Sequence, residues 1–163
     1  MNFQLRKHQS EFLSVMQQYI RGKSSANSVL LNVTPGGGKS AIPILGLKLL
    51  KDAGLADRCC WLAPRSSLQS QGAESFQNIG MRSALGHSLS LNESTNEVDP
   101  ARGTDGYITT YQAIGRDSAG INVAEFARAR YLLVLDVLHH AVEGGSWHRS
   151  LIPLQEQAAF IIY

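Results

Sequence analysis

Residues 32–41, NVTPGGGKSA, set an ammonium and a hydroxyl, Lys39 and Ser40, directly behind three glycines, Gly36, Gly37 and Gly38. Consecutive glycines let the backbone curl so that successive N–H groups face one anion. A helix opening at the same place adds the positive end of its dipole. In that setting Lys39 can reach the outer phosphates of a nucleotide, and the Ser40 hydroxyl can ligate Mg²⁺. The full phosphate-loop pattern would have a glycine at position 33, where this chain has Val33. The context of strand, glycines and helix therefore carries the reading. Its bland alternative, a glycine-rich surface turn with a solvated lysine, has no need of lysine and serine at a strand-to-helix junction.

Other groups with chemical potential fall at similar junctions. Asp136 closes the apolar run RYLLVLD, and His139 and His140 follow it. Arg65 follows one apolar run and precedes a helix start, where a phosphate would meet a guanidinium and free N–H groups together. Thr110 ends another run. On local evidence Arg65 could equally be a solvated arginine, and Thr110 an ordinary strand-end threonine. His139 and His140, with His148 nearby, invite a zinc reading, but zinc needs three or four ligands at matched spacing, and the cysteines lie far away in sequence. Cys59 and Cys60 are adjacent, so on a strand they point to opposite faces and are poorly placed to bridge each other. Two reduced core cysteines are expected.

The elements that must position these groups follow from the hydrophobic pattern. Residues 8–21 read as an amphipathic helix, with Phe12, Leu13, Val15, Met16, Tyr19 and Ile20 on one side. SVLLNV (28–33) reads as a buried strand. Residues 39–54 read as a helix, with Pro43 near its first turn, where proline is tolerated, and Gly54 at its end. Further strands are expected at 59–64, 106–111, 130–136 and 158–163, with helices at 66–78 and 147–157. The polar stretch 87–106 reads as an exposed, mobile loop. Strands alternate with helices and are apolar throughout, the pattern of an α/β fold with a three-layer parallel sheet and helices on both faces. Ligands of such sheets sit at the carboxyl ends of the strands. The candidate loops are thus 34–40, 64–67, 109–112 and 136–140.

The bulk numbers agree with one globular unit spanning residues 1–163. A chain of 163 residues buries ~68–70% of its unfolded surface. Hydrophobic content of 44% and charged content of 17% exclude a disordered chain. A net charge of +2 is no polybasic stripe, so nucleic-acid binding by charge alone is not expected. No apolar run is long enough for a membrane span, and the N-terminus lacks the apolar core of a signal peptide. The cytoplasm is the expected location.

Taken in order, these segments resemble the first RecA-like domain of superfamily 2 helicases of the DEAD/DEAH-box type. LRKHQ (5–9) resembles the upstream adenine-recognition segment, TPGGGKS (34–40) motif I, APRSSLQSQ (63–71) motif Ia, TTYQ (109–112) motif Ib and LDVLHHA (135–141) motif II. The resemblance implies a RecA-like P-loop NTPase domain using ATP and Mg²⁺. Gln9 would read the base edge. Pro35, Gly36, Gly37, Gly38, Lys39 and Ser40 would hold the nucleotide, with Lys39, Asp136 and His139 in the catalytic set. Ser40 and Asp136 would serve the metal, and His139 would couple the site to a second RecA-like domain. Arg65 and Thr110 would touch a nucleic-acid backbone, DNA rather than RNA, with Pro64 shaping the turn.

Two departures bear on activity. Motif II of the family reads Asp-Glu-x-His, but here Val137 follows Asp136. Valine can neither accept a proton nor hold a water, and Glu143 lies in a different loop. Loss of a general base is worth about 10²–10⁴-fold in rate. The second RecA-like domain and its arginine finger, worth about 10³–10⁵-fold, are also not in this sequence, which reads as a fragment. The expectation is a Mg-ATP-binding helicase or translocase domain with weak hydrolysis. The competing expectations are a degenerate nucleotide-binding or interaction module, a restriction-type DNA translocase subunit and, further off, a small-molecule kinase.

Overall fold

The computed structural model describes residues 4–31, 40–136 and 147–163. Among these the chain forms a six-stranded, all-parallel sheet. In chain order the elements are α1 (Lys7–Ile20), β1 (Ser28–Val29), α2 (Ala41–Asp52), β2 (Arg58–Ala63), α3 (Ser66–Gln77) and α4 (Ile79–Leu85). There follow β3 (Asn92–Glu93), β4 (Gly106–Thr110), α5 (Tyr111–Gly115), α6 (Ile121–Arg128), β5 (Tyr131–Leu135), α7 (His148–Gln157) and β6 (Phe160–Ile162). The spatial order is β1-β6-β5-β2-β4-β3.

The three layers follow from side-chain alternation along the central strands. Cys59, Trp61, Ala63, Leu132 and Val134 face one helical layer, packing with Phe12 and Met16 of α1, Ile42, Ile44 and Leu47 of α2, and Phe76 of α3. Cys60, Leu62, Leu133 and Leu135 face the other, against Ile114 of α5, Phe126 of α6, and Leu151 and Leu154 of α7. The adjacent cysteines thus point into different cores, and both are reduced and fully buried. Burial pushes the Cys60 thiol up to about 12 and Cys59 well above its usual value.

Two glycines mark close approaches. A Cβ on Gly72 of α3 would press on the tip of Ile108 and on the Trp61 ring, so this glycine lets α3 sit close on the sheet. Gly106 adopts φ 148° at the start of β4, and a Cβ there would lie 2.0 Å from the Cys59 carbonyl oxygen. Here the Asp105 carbonyl accepts the Cys59 N–H at 2.9 Å, which opens the β2–β4 ladder.

Three expectations need correction. The strand expected over 28–33 is, in its described part, the two-residue edge strand β1. Ser28 is exposed and Leu30 is 81% exposed; among the described residues β1 has a neighbour only in β6. The strand expected to end at Tyr111 ends at Thr110, whose Oγ1 accepts the Ala113 N–H and starts α5. The stretch 87–106 is not a free loop. It contains β3, parallel to β4, and buries Leu91, Ser94 and Ala101. Its polar side chains are used in place: Asn92 Nδ2 donates to the Pro100 carbonyl, and the Asp105 carboxylate accepts the Ser90 N–H.

Candidate functional site

The register of the parallel strands determines which loops meet. Ala63 of β2 stands opposite Thr110 of β4, and Leu62 opposite Leu135 of β5. The Asp136 N–H continues that ladder by donating to the Leu62 carbonyl at 3.0 Å. The chain just after Ala63, the Thr110–Tyr111 junction and Asp136 therefore form one row along the carboxyl edge. Thr110 and Asp136 flank β2, so their backbones are two strand spacings apart, about 10 Å.

The start of α2 reaches the same edge. Its far end lies at the amino edge, where Lys51 Nζ bonds the carboxylate of Asp105, one residue before β4, at 2.7 Å. A helix of 12 residues spans about 18 Å, close to the length of the strands beneath it. Its first turn, with Ser40 at its head, accordingly stands at the carboxyl edge. Ser40 is exposed and its hydroxyl makes no capping bond.

Each described site residue can now be placed. Arg65 heads α3 in extended conformation, its carbonyl accepting the Leu68 and Gln69 N–H groups at 3.1 Å while the residue stays exposed. The Thr110 hydroxyl is engaged as the cap of α5, at 3.2 Å from the Ala113 nitrogen, and retains its own proton as a donor. Asp136 is half-buried. Gln9 is only 2% exposed, and its Oε1 accepts the Arg6 N–H at 2.9 Å, closing the first turn of α1. Ser40, Arg65, Thr110 and Asp136 thus share one edge, and Gln9 has a structural task in its own helix. Pro35, Gly36, Gly37, Gly38, Lys39, Val137, His139, His140 and Glu143 lie outside the described residues. No cluster of three or more potential metal-ligating His, Cys, Asp or Glu side chains occurs among the described residues.

The neighbourhood contains groups that the sequence did not single out. Tyr111 follows Thr110 and is 6% exposed. Its hydroxyl has no hydrogen-bond partner among the described residues. Burial, helped by the negative charge of Asp136, holds that hydroxyl protonated far above the usual range. The Tyr111 ring packs on Trp147, with centroids 4.7 Å apart. Gln69, buried in α3, donates to the carbonyls of both Ser94 and Ile108, at 3.0 and 2.8 Å. It thereby ties the Arg65 helix to the strand that ends in Thr110. A glutamine on an otherwise apolar helix face was the one available signal for it.

The donor set fits Mg²⁺ bound with a nucleotide. The metal prefers a few hard oxygens with retained waters, and an exposed hydroxyl at a helix start with a carboxylate on the same sheet edge is such a set. When bound, the ion would neutralise phosphate charge; Ser40 and Asp136 are the described residues able to hold it.

The all-parallel six-stranded sheet with its helices matches an α/β RecA-like fold. A family model described as "Type III restriction enzyme, res subunit" matches residues 2–163, and the chain belongs to this family. It is a superfamily 2 helicase-type RecA-like ATP-binding domain. No curated protein matches it significantly. No described helix is long and apolar enough to cross a membrane.

Proposed function

We propose that this domain binds Mg-ATP through residues 34–40 and Asp136 and tracks a nucleic-acid backbone through Arg65 and Thr110. In this reading it is the nucleotide-binding half of a DEAD/DEAH-like helicase or translocase. The observation that carries it is the shared carboxyl edge, where Ser40, Arg65, Thr110 and Asp136 come from four separate stretches of chain. Contacts of the Arg65 and Thr110 kind position a strand without reading its sequence. Lys39 would serve the phosphates, Gln9 the base, and His139 the link to a second RecA-like domain.

Hydrolysis is weak in this reading because Val137 stands where a general base is needed. Binding is tested by thermal shift: Mg-ATP at 100 times its dissociation constant adds about 2.7 kcal/mol, and Lys39→Ala or Asp136→Ala abolishes the gain. Turnover is tested by Val137→Glu, expected to raise the steady-state ATPase rate by at least about 10²-fold. Brisk hydrolysis by the unaltered protein would refute the weak-base reading.

The family description favours a second reading, the motor of a restriction-type DNA translocase. ATPase stimulation that grows with duplex length, without strand separation, selects it over a helicase.

A further inference from the structure

Trp147 brings an open aromatic surface to the carboxyl edge. The Ala159 N–H donates to the carbonyl of Tyr131, the first residue of β5, so α7 ends at the amino edge and starts at the opposite one. Trp147 stands just before that start and is held by α5, the helix that Thr110 caps. The Tyr111 ring packs on it at 4.7 Å, and a Cβ on Gly115 would lie 3.1 Å from both its Cα and its Cβ. The two tryptophans of the chain differ in their surroundings. Trp61 is 5% exposed within the core, whereas Trp147 is only half-buried and keeps part of its indole in solvent. The His148 ring lies 6.0 Å from the indole, and both His148 and the following Arg149 are exposed. Arg116, also exposed, follows Gly115, so the approach of that glycine to Trp147 brings it alongside. Neither Arg116 nor Arg149 forms an ion pair with a described residue. Asp117, the carboxylate next to Arg116, is spent on the N–H groups of Ile121 and Asn122. On the other side of β4, β3 and the loop after it expose Glu93 and Asp99.

We propose that Trp147, flanked by Arg116 and Arg149, is a stacking platform for one unpaired base of a nucleic-acid strand that leaves Thr110 toward α7. The inference rests on the reading given under Proposed function and adds to it a path for the strand and a preference for single strands. Every base has a π-face, so an open indole can take any of the four, while nearby guanidinium groups meet the phosphates on either side. The Tyr111 ring and the Gly115 backbone hold the indole in place before a ligand arrives, so little side-chain freedom is lost on binding. Bases paired in a duplex stack on one another, whereas those of a single strand can be splayed out onto an aromatic side chain. The exposed carboxylates beyond β4 repel a phosphate backbone, which turns the strand toward the α7 side of the edge.

The test uses the intact chain and two readouts. Unlabelled oligo-dT is titrated while indole emission is followed, and Kd values for fluorescein-labelled oligo-dT and for a duplex of equal length are measured by anisotropy. Oligo-dT should quench the wild-type emission, and Trp147→Phe should abolish the quenching while retaining the affinity. Trp147→Leu, which still fills the space beside Tyr111 and Gly115, should weaken oligo-dT binding at least about fivefold, the loss of one base stack, and leave the duplex Kd unchanged. Should Trp147→Leu fail to fold, the wild-type quenching decides. The inference is overturned by emission that oligo-dT does not change, by a Trp147→Leu protein that binds oligo-dT like wild type, or by an equal loss for duplex and single strand. If Arg65→Ala weakens binding while Trp147→Leu does not, the functional reading stands and this inference alone is lost. A wild-type protein that binds no oligonucleotide removes the functional reading itself, and this inference falls with it.

Discussion

The two edges of the sheet are built on opposite plans. At the amino edge, charged side chains are consumed by one another. Glu125 is 1% exposed and accepts from Arg58 and from the Tyr131 hydroxyl, the latter at 2.6 Å. Asp57 takes the Arg130 guanidinium at two points, and Arg130 also reaches the Gly54 carbonyl. Lys51 holds Asp105. At the carboxyl edge Ser40 and Arg65 are exposed, and Thr110 spends only one acceptor on a cap. The difference teaches where this fold keeps its stability and where it keeps its chemistry. Polar groups whose partners are all internal lock strands in register, whereas groups left facing solvent can exchange partners with a ligand.

Substitutions can break this contrast or sharpen it. The largest effect is expected from Glu125→Ala, which leaves Arg58 and the Tyr131 hydroxyl without their shared acceptor. Arg58 keeps some access to water, so the loss should sit near the low end for a broken buried pair, about 3 kcal/mol. Urea unfolding measures it, and an unchanged midpoint would mean that the amino edge is not the anchor described here. Next comes Asp117→Ala. Burial alone would raise the Asp117 pKa, but N–H groups of Asn122, Ile121 and Gly120 outweigh it and hold the carboxyl below its ordinary value. Asp117 caps the start of α6, and losing such a cap costs about 1 kcal/mol. Because the folded pKa is the lower one, this contribution is present above the unfolded value near 3.8 and fades as pH falls below it. The Asp117→Ala penalty should therefore shrink in acid.

A gentler pH effect belongs to His87. Burial first, then the charges of Arg82 and Lys48, lower its pKa from 6.5. Its Nδ1 accepts the Leu89 N–H, a bond only the neutral ring can make. The unfolded chain thus takes up a proton at higher pH than the folded one, and stability declines as pH falls below about 6.5. Stability curves at pH 7.5 and 5.5 should differ less in His87→Asn, which keeps an acceptor but does not titrate. The smallest effect is expected at the other edge. Arg65→Ala should leave stability within about 0.5 kcal/mol of wild type while weakening oligonucleotide binding. A large loss of stability there would erase the distinction between the edges.

Long, strongly patterned elements were legible in the sequence, and short ones fixed by distant contacts were not. β2, β5 and β6 were readable because continuous apolar runs of that length suit a doubly covered strand. α1 and α2 were readable from their periodicity. β3 was not: Asn92 and Glu93 carry no apolar signal, and their place comes from Gln69 donating to the Ser94 carbonyl and from the β4 ladder. α4, α5 and α6 went unassigned because each depends on a local cap, from Asn78, Thr110 and Asp117, rather than on an extended stripe. Of the candidate site, Ser40, Arg65, Thr110 and Asp136 could be located as junction residues. Tyr111 and Trp147 could not be paired, since only the packing of α5 on α7 brings together residues thirty-six positions apart.

The paired cysteines make the two cores separately observable. Cys59 and Cys60 are fully covered, one beneath each helical layer, so an alkylating reagent reaches either only when its own cover lifts. Under partial denaturant, mass spectrometry of briefly labelled protein would register single additions if the layers peel apart in turn, and paired additions if they leave together. Two neighbouring sulfur atoms thus act as built-in clocks for how the sandwich comes open.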